Sequence, residues 1–274
     1  MKNREKIMET TKHFVLVHGA SHGAWCWYKL VTMLRLAGHR ATTIDLGGCG
    51  VNPKQLNVEV VSFSDYMEPL TEFMVSLPPE EKIILVGHSF GGFSISFAME
   101  KFAEKILVAV FVTAYMPNCI NPPATLINEF FKWSPLDSMY DCQVNFGNGS
   151  ETRPTSSSFG PEFLTKMVYL RCPSEDLELG KMLVRPTGIF MDDLSKESQL
   201  TEAKFGASPN HEDDVDKDET DEDETAAEED YHKEDNTFVF AAPRIFRSSS
   251  STLLLLFVSS KKKKKTSGSK TAMI

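Results

Sequence analysis

Gly87-His88-Ser89-Phe90-Gly91 fits the pattern G-x-S-x-G. Between a strand and a helix this pattern makes a sharp turn that lifts the serine Oγ above a sheet, and small flanking residues let the turn close. Ile83 to Val86 is a short apolar run and a helical pattern opens at Gly91, so the motif stands in that setting. Ser89 is the candidate nucleophile, and the chemistry it fits is attack on an acyl carbon. The oxyanion formed there needs N–H donors, and losing one typically costs ~2.7–4 kcal/mol of transition-state stabilisation. The backbone N–H of Phe90 is one candidate donor. The other is expected from the loop after the first strand, where His18-Gly19-Ala20 lies at a strand's C-terminal end, the usual place for ligands in an open α/β sheet. The Ala20 N–H is that candidate. His18 and His22, in the same loop, are expected to hydrogen-bond its backbone rather than to catalyse.

The elements that must hold these residues alternate. His13 to Val17 reads as a buried strand, and Trp25 to Leu36 carries a helical stripe that stops at Gly38. A strand over Ala41 to Leu46, the turn Gly47-Gly48-Cys49-Gly50, a helix from about Phe63 to Leu77 and a strand over Lys82 to Val86 follow. A helix from Gly91 to about Phe102 and an apolar strand over Ile106 to Thr113 complete the series. Alternation of this kind predicts a parallel sheet with helices on both faces. From about Met116 to Lys196, eight prolines break the chain into short pieces, with helices expected near Leu126 to Trp133, Pro161 to Leu170 and Glu175 to Leu183. This segment is expected to be an insertion packed over the sheet as a cap.

Composition narrows the class. With 41% hydrophobic and 24% charged residues the 274-residue chain sits near globular averages, which excludes collagen-like, wholly disordered and disulfide-scaffold proteins. The net charge of −9 is uneven. His211 to Asp235 holds 15 acids against 2 lysines, whereas Asn236 to Ile274 holds 8 basic residues and no acid. The remainder is only mildly acidic and has no footprint for a nucleic-acid partner. No signal-like run opens the chain and no stretch approaches the ~20 apolar residues of a membrane span, so a soluble, cytoplasmic protein is expected. Cys26, Cys49, Cys119, Cys142 and Cys172 lie apart without metal-site spacing, as reduced thiols would, and Asn148-Gly149-Ser150 is a sequon without meaning in that compartment.

Four ordered motifs carry a resemblance: Val15 to Trp25 (VLVHGASHGAW), Asp45 to Pro53 (DLGGCGVNP), Gly87 to Gly92 (GHSFGG) and Lys181 to Pro186 (KMLVRP). Together they resemble the plant methylesterase branch of the α/β-hydrolases, which also contains the hydroxynitrile lyases, over about residues 13 to 206. The resemblance implies a metal-free and cofactor-free esterase for small methyl esters of the plant-hormone type, such as methyl salicylate, methyl jasmonate or methyl indole-acetate. The cap would cover the site, with Ser89 as nucleophile, Ala20 and Phe90 as oxyanion donors, and a homodimer as an open option. Lyases of the branch carry a threonine at the position of Gly19 and a glutamate at that of His88, so the esterase alternative fits better.

The C-terminal part departs from that pattern. In this fold the triad runs serine, acid, histidine, with the last two following late strands. After Phe205-Gly206 the chain continues Ala207-Ser208-Pro209-Asn210 and enters the acidic run, and its remaining histidines are His211 and His232. Neither follows an apolar strand that would fix its position, so the triad acid and histidine are unassigned. The domain is therefore expected as 1–206, an incomplete hydrolase with its cap at about 116–196, and 207–274 as a disordered tail, acidic and then basic, with runs at Ser248 to Ser251, Leu253 to Leu256 and Lys261 to Lys265. A catalytically inactive esterase, or a non-catalytic binder of a small ligand, follows from that expectation. Thr237 to Phe240 and Leu253 to Val258 are the tail segments able to pair with the open sheet edge.

Overall fold

The structure is a computed structural model that describes residues 11–134, 139–146, 154–196, 199–206, 238–241, 257–258 and 272–273. Four central strands, β1 (His13–Val17), β2 (Arg40–Ile44), β3 (Ile83–His88) and β4 (Ile106–Val112), are all parallel in the order β2-β1-β3-β4. Helix α1 (Tyr28–Leu36) follows β1, α2 (Phe63–Ser76) follows β2, and α3 (Gly91–Lys101) joins β3 to β4.

The near-continuous apolar strands split by alternation into two cores. Phe14, Leu16, Ile84, Val86, Val108, Val110 and Val112 face Trp27 and Leu34 of the α1 side. Val15, Val17, Ile83, Leu85, Ala109 and Phe111 face the opposite way, toward Tyr66, Leu70 and Met74 of α2 and Phe93 and Ile95 of α3. Helix α2 starts sharply because Ser62 and Asp65 form a capping box, the Ser62 side chain accepting from the Asp65 N–H and the carboxylate from the Ser62 N–H. Pro69 inside α2 withholds an N–H from the helix ladder, and the Gly47 N–H docks nearby on the Tyr66 carbonyl at 2.9 Å.

The cap contains α4 (Ala124–Trp133), α5 (Pro161–Phe163) continuing as a π-turn over Leu164–Val168, α6 (Ser174–Leu183) and α7 (Met191–Leu194). It also contains a three-stranded antiparallel sheet, β5 (Gln143–Phe146), β6 (Pro154–Ser158) and β7 (Thr187–Gly188), that the proline-broken sequence did not announce. The strands are only two to five residues long, too short for periodicity to register.

Within 207–274 the structure differs from a featureless tail at three places. β8 (Phe238–Ala241) pairs in parallel with β4, from Ala109↔Phe238 to Val112↔Ala241, so the central sheet has five strands. β9 (Phe257–Val258) and β10 (Ala272–Met273) form an antiparallel pair. The rest of the tail, including His211, His232, the acidic run, Leu253 to Leu256 and Lys261 to Lys265, lies outside the described residues, as does the Asn148 sequon. Among the described residues no helix is long and apolar enough to cross a membrane.

An unpaired edge strand presents bare N–H and C=O groups to other chains, and β8 occupies that edge on β4. Truncation after Gly206 is expected to lower the melting midpoint by at least about 3 °C, the shift that roughly 1 kcal/mol produces in a domain of this size, and to raise light scattering. Equal midpoints and equal scattering for the truncated and full chains would show that β8 contributes nothing to the edge.

Candidate active site

Ser89 sits where β3 hands over to α3, half-buried, with φ at +50°. A non-glycine residue in the left-handed region is strained and persists only where its surroundings over-determine it. Here the backbone on both sides is fixed: the Ser89 N–H donates to the Val112 carbonyl at 3.3 Å, and its carbonyl accepts from the Gly92 and Tyr115 N–H groups at 3.0 and 3.1 Å. The flanking glycines are required by space. A Cβ at Gly91 would lie 2.5 Å from the His18 carbonyl oxygen, and one at Gly92 would lie 2.0 Å from the Tyr115 carbonyl oxygen. The tight approach at Gly91 draws the start of α3 against the end of β1, which carries the loop Gly19 to His22.

That loop is pinned carbonyl by carbonyl. His18, fully buried, donates from Nδ1 to the Gly19 carbonyl at 2.8 Å and accepts at Nε2 from the Leu46 N–H at 3.2 Å. His22 donates from Nδ1 to the Ala20 carbonyl at 2.8 Å, and its Nε2 lies 2.9 Å from the Tyr169 hydroxyl. The Ser21 carbonyl accepts from the Arg185 N–H at 3.0 Å. In a trans peptide the carbonyl and the following N–H point in opposite directions, so holding the Gly19 oxygen into the loop turns the Ala20 N–H outward. Gly19 also abuts the nucleophile: a Cβ there would lie 2.9 Å from Ser89 Cβ and 3.0 Å from His88 Nδ1. Among the described residues neither the Ala20 nor the Phe90 N–H donates to another backbone group, leaving both amides available to a ligand.

The electrostatics keep the histidines neutral. Burial pushes His18 down to about 4, against smaller upward pulls from the Gly19 carbonyl and Asp45. His22 is lowered by burial, and His88 is pushed down to about 4 by burial and then by the neighbouring His22 and His18. A neutral His18 has one donor and one acceptor nitrogen, which matches its two partners.

The Lys181 to Pro186 motif has a mechanical part that its residue types did not disclose. Arg185 Nη1 donates to the Gly50 and Asn52 carbonyls at 3.0 Å each, tying the glycine-rich turn to the loop that holds Ala20. Asp45 accepts from the Ala24 N–H at 2.6 Å, and a Cβ at Gly50, where φ is +51°, would collide with its carboxylate. From the elbow, rings lead toward the cap: Phe90 meets Phe93, Phe93 stacks on Tyr115 at 4.9 Å, and Tyr115 meets Phe130 of α4. Phe131 contacts Phe130, while the Trp133 side chain lies outside the described set. A small cleft lined by Met99, Ala103, Ile106, Val108 and Lys204 lies at the N-terminal end of β4, the opposite end of the sheet from Ser89. Among the described residues no group of three His, Cys, Asp or Glu side chains is arranged to hold a metal ion.

The elbow, the parallel sheet and the cap define a class. Residues 14–209 match the alpha/beta hydrolase family, and the chain belongs to it. Its relatives place it in the plant methylesterase branch of that family. It is 45% identical to methylesterase 10 of Arabidopsis thaliana over 207 residues, 76% of this chain and 75% of that one. It is 50% identical to methyl jasmonate esterase 1 of Vitis vinifera over 196 residues, 71% of this chain and 74% of that one. Against the crystal structure of polyneuridine aldehyde esterase the TM-score is 0.67 at 44% identity, covering 72% of this chain and 77% of that one.

Because the folded pKa of His18 lies below the ordinary 6.5, the neutral form stabilises the fold above pH 6.5, and that stability is lost as pH falls toward 4. The loss is on the order of 3 kcal/mol by pH 4. The melting midpoint is expected to fall more steeply between pH 6.5 and 4.5 in the full chain than in His18→Asn, which keeps a donor for the Gly19 carbonyl but does not titrate. Parallel slopes would contradict the neutral, buried state assigned to His18.

Proposed function

We propose that this chain is a methylesterase-family protein whose Ser89 faces small carboxylic methyl esters of the plant-hormone type, with Ala20 and Phe90 as oxyanion donors, and that it does not turn them over. The observation that carries this reading is the commitment of the histidines around Ser89. His18 and His22 each use both ring nitrogens in holding the loop. His88, pushed down to about 4, is too weakly basic to serve near neutral pH, where an effective base has a pKa close to ambient. His13 is engaged by Glu81 and Thr42 at the far end of β1.

Attack by Ser89 Oγ on an acyl carbon requires a group to take the hydroxyl proton and later to return a proton to the departing alcohol. The two amides hold the oxygen that becomes negative, but they move no proton. With no such group beside Ser89 among the described residues, the proposed site keeps recognition and charge stabilisation and lacks proton transfer. Methyl jasmonate esterase 1 and methylesterase 10 are the similar proteins whose names support methyl esters as the ligand class. The lyase alternative is not favoured: Gly19 brings no hydroxyl to the substrate, and even a Cβ there would crowd Ser89.

Hydrolysis of p-nitrophenyl acetate and of methyl salicylate by the full chain is expected to be no faster than by Ser89→Ala. Triad loss leaves at most ~10³–10⁴-fold over water, close to background. Robust turnover abolished by Ser89→Ala would overturn the inactive reading, and loss with His232→Ala as well would identify the base. Calorimetric titration of the same preparations with salicylate, jasmonate and indole-acetate checks the ligand class, and no heat with any of them would remove it.

A further inference from the structure

We propose that Tyr169, in the cap, is a positioning residue for the oxyanion loop, acting through His22 to hold the Ala20 peptide. This rests on the reading of Ser89 and Ala20 given above and adds to it a residue 80 positions away from the nucleophile in the chain.

His22 is 6% exposed and has two rings near it at interplanar angles of 24°, Trp25 with its centroid at 5.2 Å and Tyr169 at 5.9 Å, and Phe159 more nearly perpendicular at 6.2 Å. Its plane is thereby set. A carbonyl can only accept, so the 2.8 Å contact to the Ala20 oxygen requires a proton on Nδ1. In the neutral ring that leaves Nε2 as an acceptor, and the Tyr169 hydroxyl at 2.9 Å donates to it. Tyr169 therefore reinforces the tautomer that the Ala20 carbonyl requires, adding to the preference for Nδ1–H from the other side of the ring. Without its donor, the ring is free to move the proton to Nε2, and Nδ1 would then turn a lone pair on the carbonyl.

Tyr169 is itself held. It closes the π-turn, its N–H donating to the Leu164 carbonyl at 2.8 Å. Gly180 of α6 makes room for its ring: a Cβ there would lie 2.7 Å from Tyr169 Cε2 and 2.9 Å from its hydroxyl oxygen. The same helix is tied to α1, where Tyr28 and Lys29 both bond Asp176. Arg185, just beyond α6, fixes Ser21, the next peptide of the loop. The cap thus contacts the loop at two successive carbonyls, Ala20 through His22 and Ser21 directly.

Two measurements on the full chain test this. Long-range ¹H–¹⁵N spectra of histidine-labelled protein are expected to show His22 as the Nδ1–H tautomer, and to show a mixture of tautomers in Tyr169→Phe while His18 stays Nδ1–H. Phenylboronic acid provides the second readout. Ser89 Oγ forms a bond to boron, no bond to boron breaks, the serine proton leaves to solvent, and the tetrahedral anion places one hydroxyl in the oxyanion position. Its dissociation constant, read by ¹¹B spectra, is expected to rise about tenfold in Tyr169→Phe and in Gly180→Ala, and Tyr169→Phe is expected to add nothing in a His22→Asn background. An adduct unaffected by Tyr169→Phe, or a His22 spectrum the same with and without the hydroxyl, overturns the inference while the Ser89 reading stands. No adduct beyond that of Ser89→Ala refutes the Ser89 reading instead, and the tautomer spectra then decide the role of Tyr169.

Discussion

The hydrogen bond from buried His18 to the Gly19 carbonyl decides which way the Ala20 amide faces, and much of the molecule exists to keep that bond in place. The imidazole must be neutral, with the proton on Nδ1, so it needs both burial and a donor for Nε2. Burial comes from the sheet on one side and the start of α3 on the other, which approaches closely only because residue 91 has no side chain. The donor is the Leu46 N–H just past β2, so the register of β2 beside β1 sets the tautomer of a residue at the site. A charged His18 would lose the Leu46 contact and sit unpaired in a dry interior, the expensive outcome for any buried ion.

The same economy of small residues and strained turns explains what was legible in the sequence. The strands at His13, Lys82 and Ile106 declare themselves as continuous apolar runs because both of their faces are buried, and the helices at Phe63 and Gly91 by the apolar positions they turn into the core. The Ser89 turn was legible because G-x-S-x-G encodes the spatial need directly: residues 87 and 91 touch Ile95 and His18 with no room for a Cβ. The structural role expected for His18 and His22 agrees with their partners. Tyr169, Asp45 and Arg185 escaped because their work is done by one or two hydrogen bonds to groups far along the chain, the His22 ring for Tyr169 and backbone atoms for the other two. Such bonds leave no periodic trace. The cap sheet was missed for a related reason, since two-residue β7 has no pattern to read.

At the other edge of the sheet, sequence and structure divide differently. After Gly206 the sequence carries no apolar run that leads to an acid or a histidine, and the alpha/beta hydrolase match ends at residue 209. Yet β4 does not stand bare, because Phe238–Ala241 runs alongside it. A Phe-Val-Phe-Ala segment supplies the β-branched and aromatic character an edge strand needs, whatever precedes it. Completing a sheet asks only for backbone pairing and apolar side chains. Completing a catalytic triad asks for two particular residues within hydrogen-bond reach, a far narrower requirement. A C-terminal segment can meet the first without the second.

The central claim is the proposal that Ser89 works with the Ala20 and Phe90 amides and has no proton carrier beside it among the described residues. Adding imidazole to the full chain and to Ser89→Ala, with p-nitrophenyl acetate as substrate, tests it most directly, the variant accounting for hydrolysis by imidazole itself. The account predicts negligible Ser89-dependent rate without imidazole and a rate that rises and saturates with imidazole in the full chain alone, as a small base enters the place of the absent side chain. Identical rates in both proteins at every imidazole concentration would contradict it.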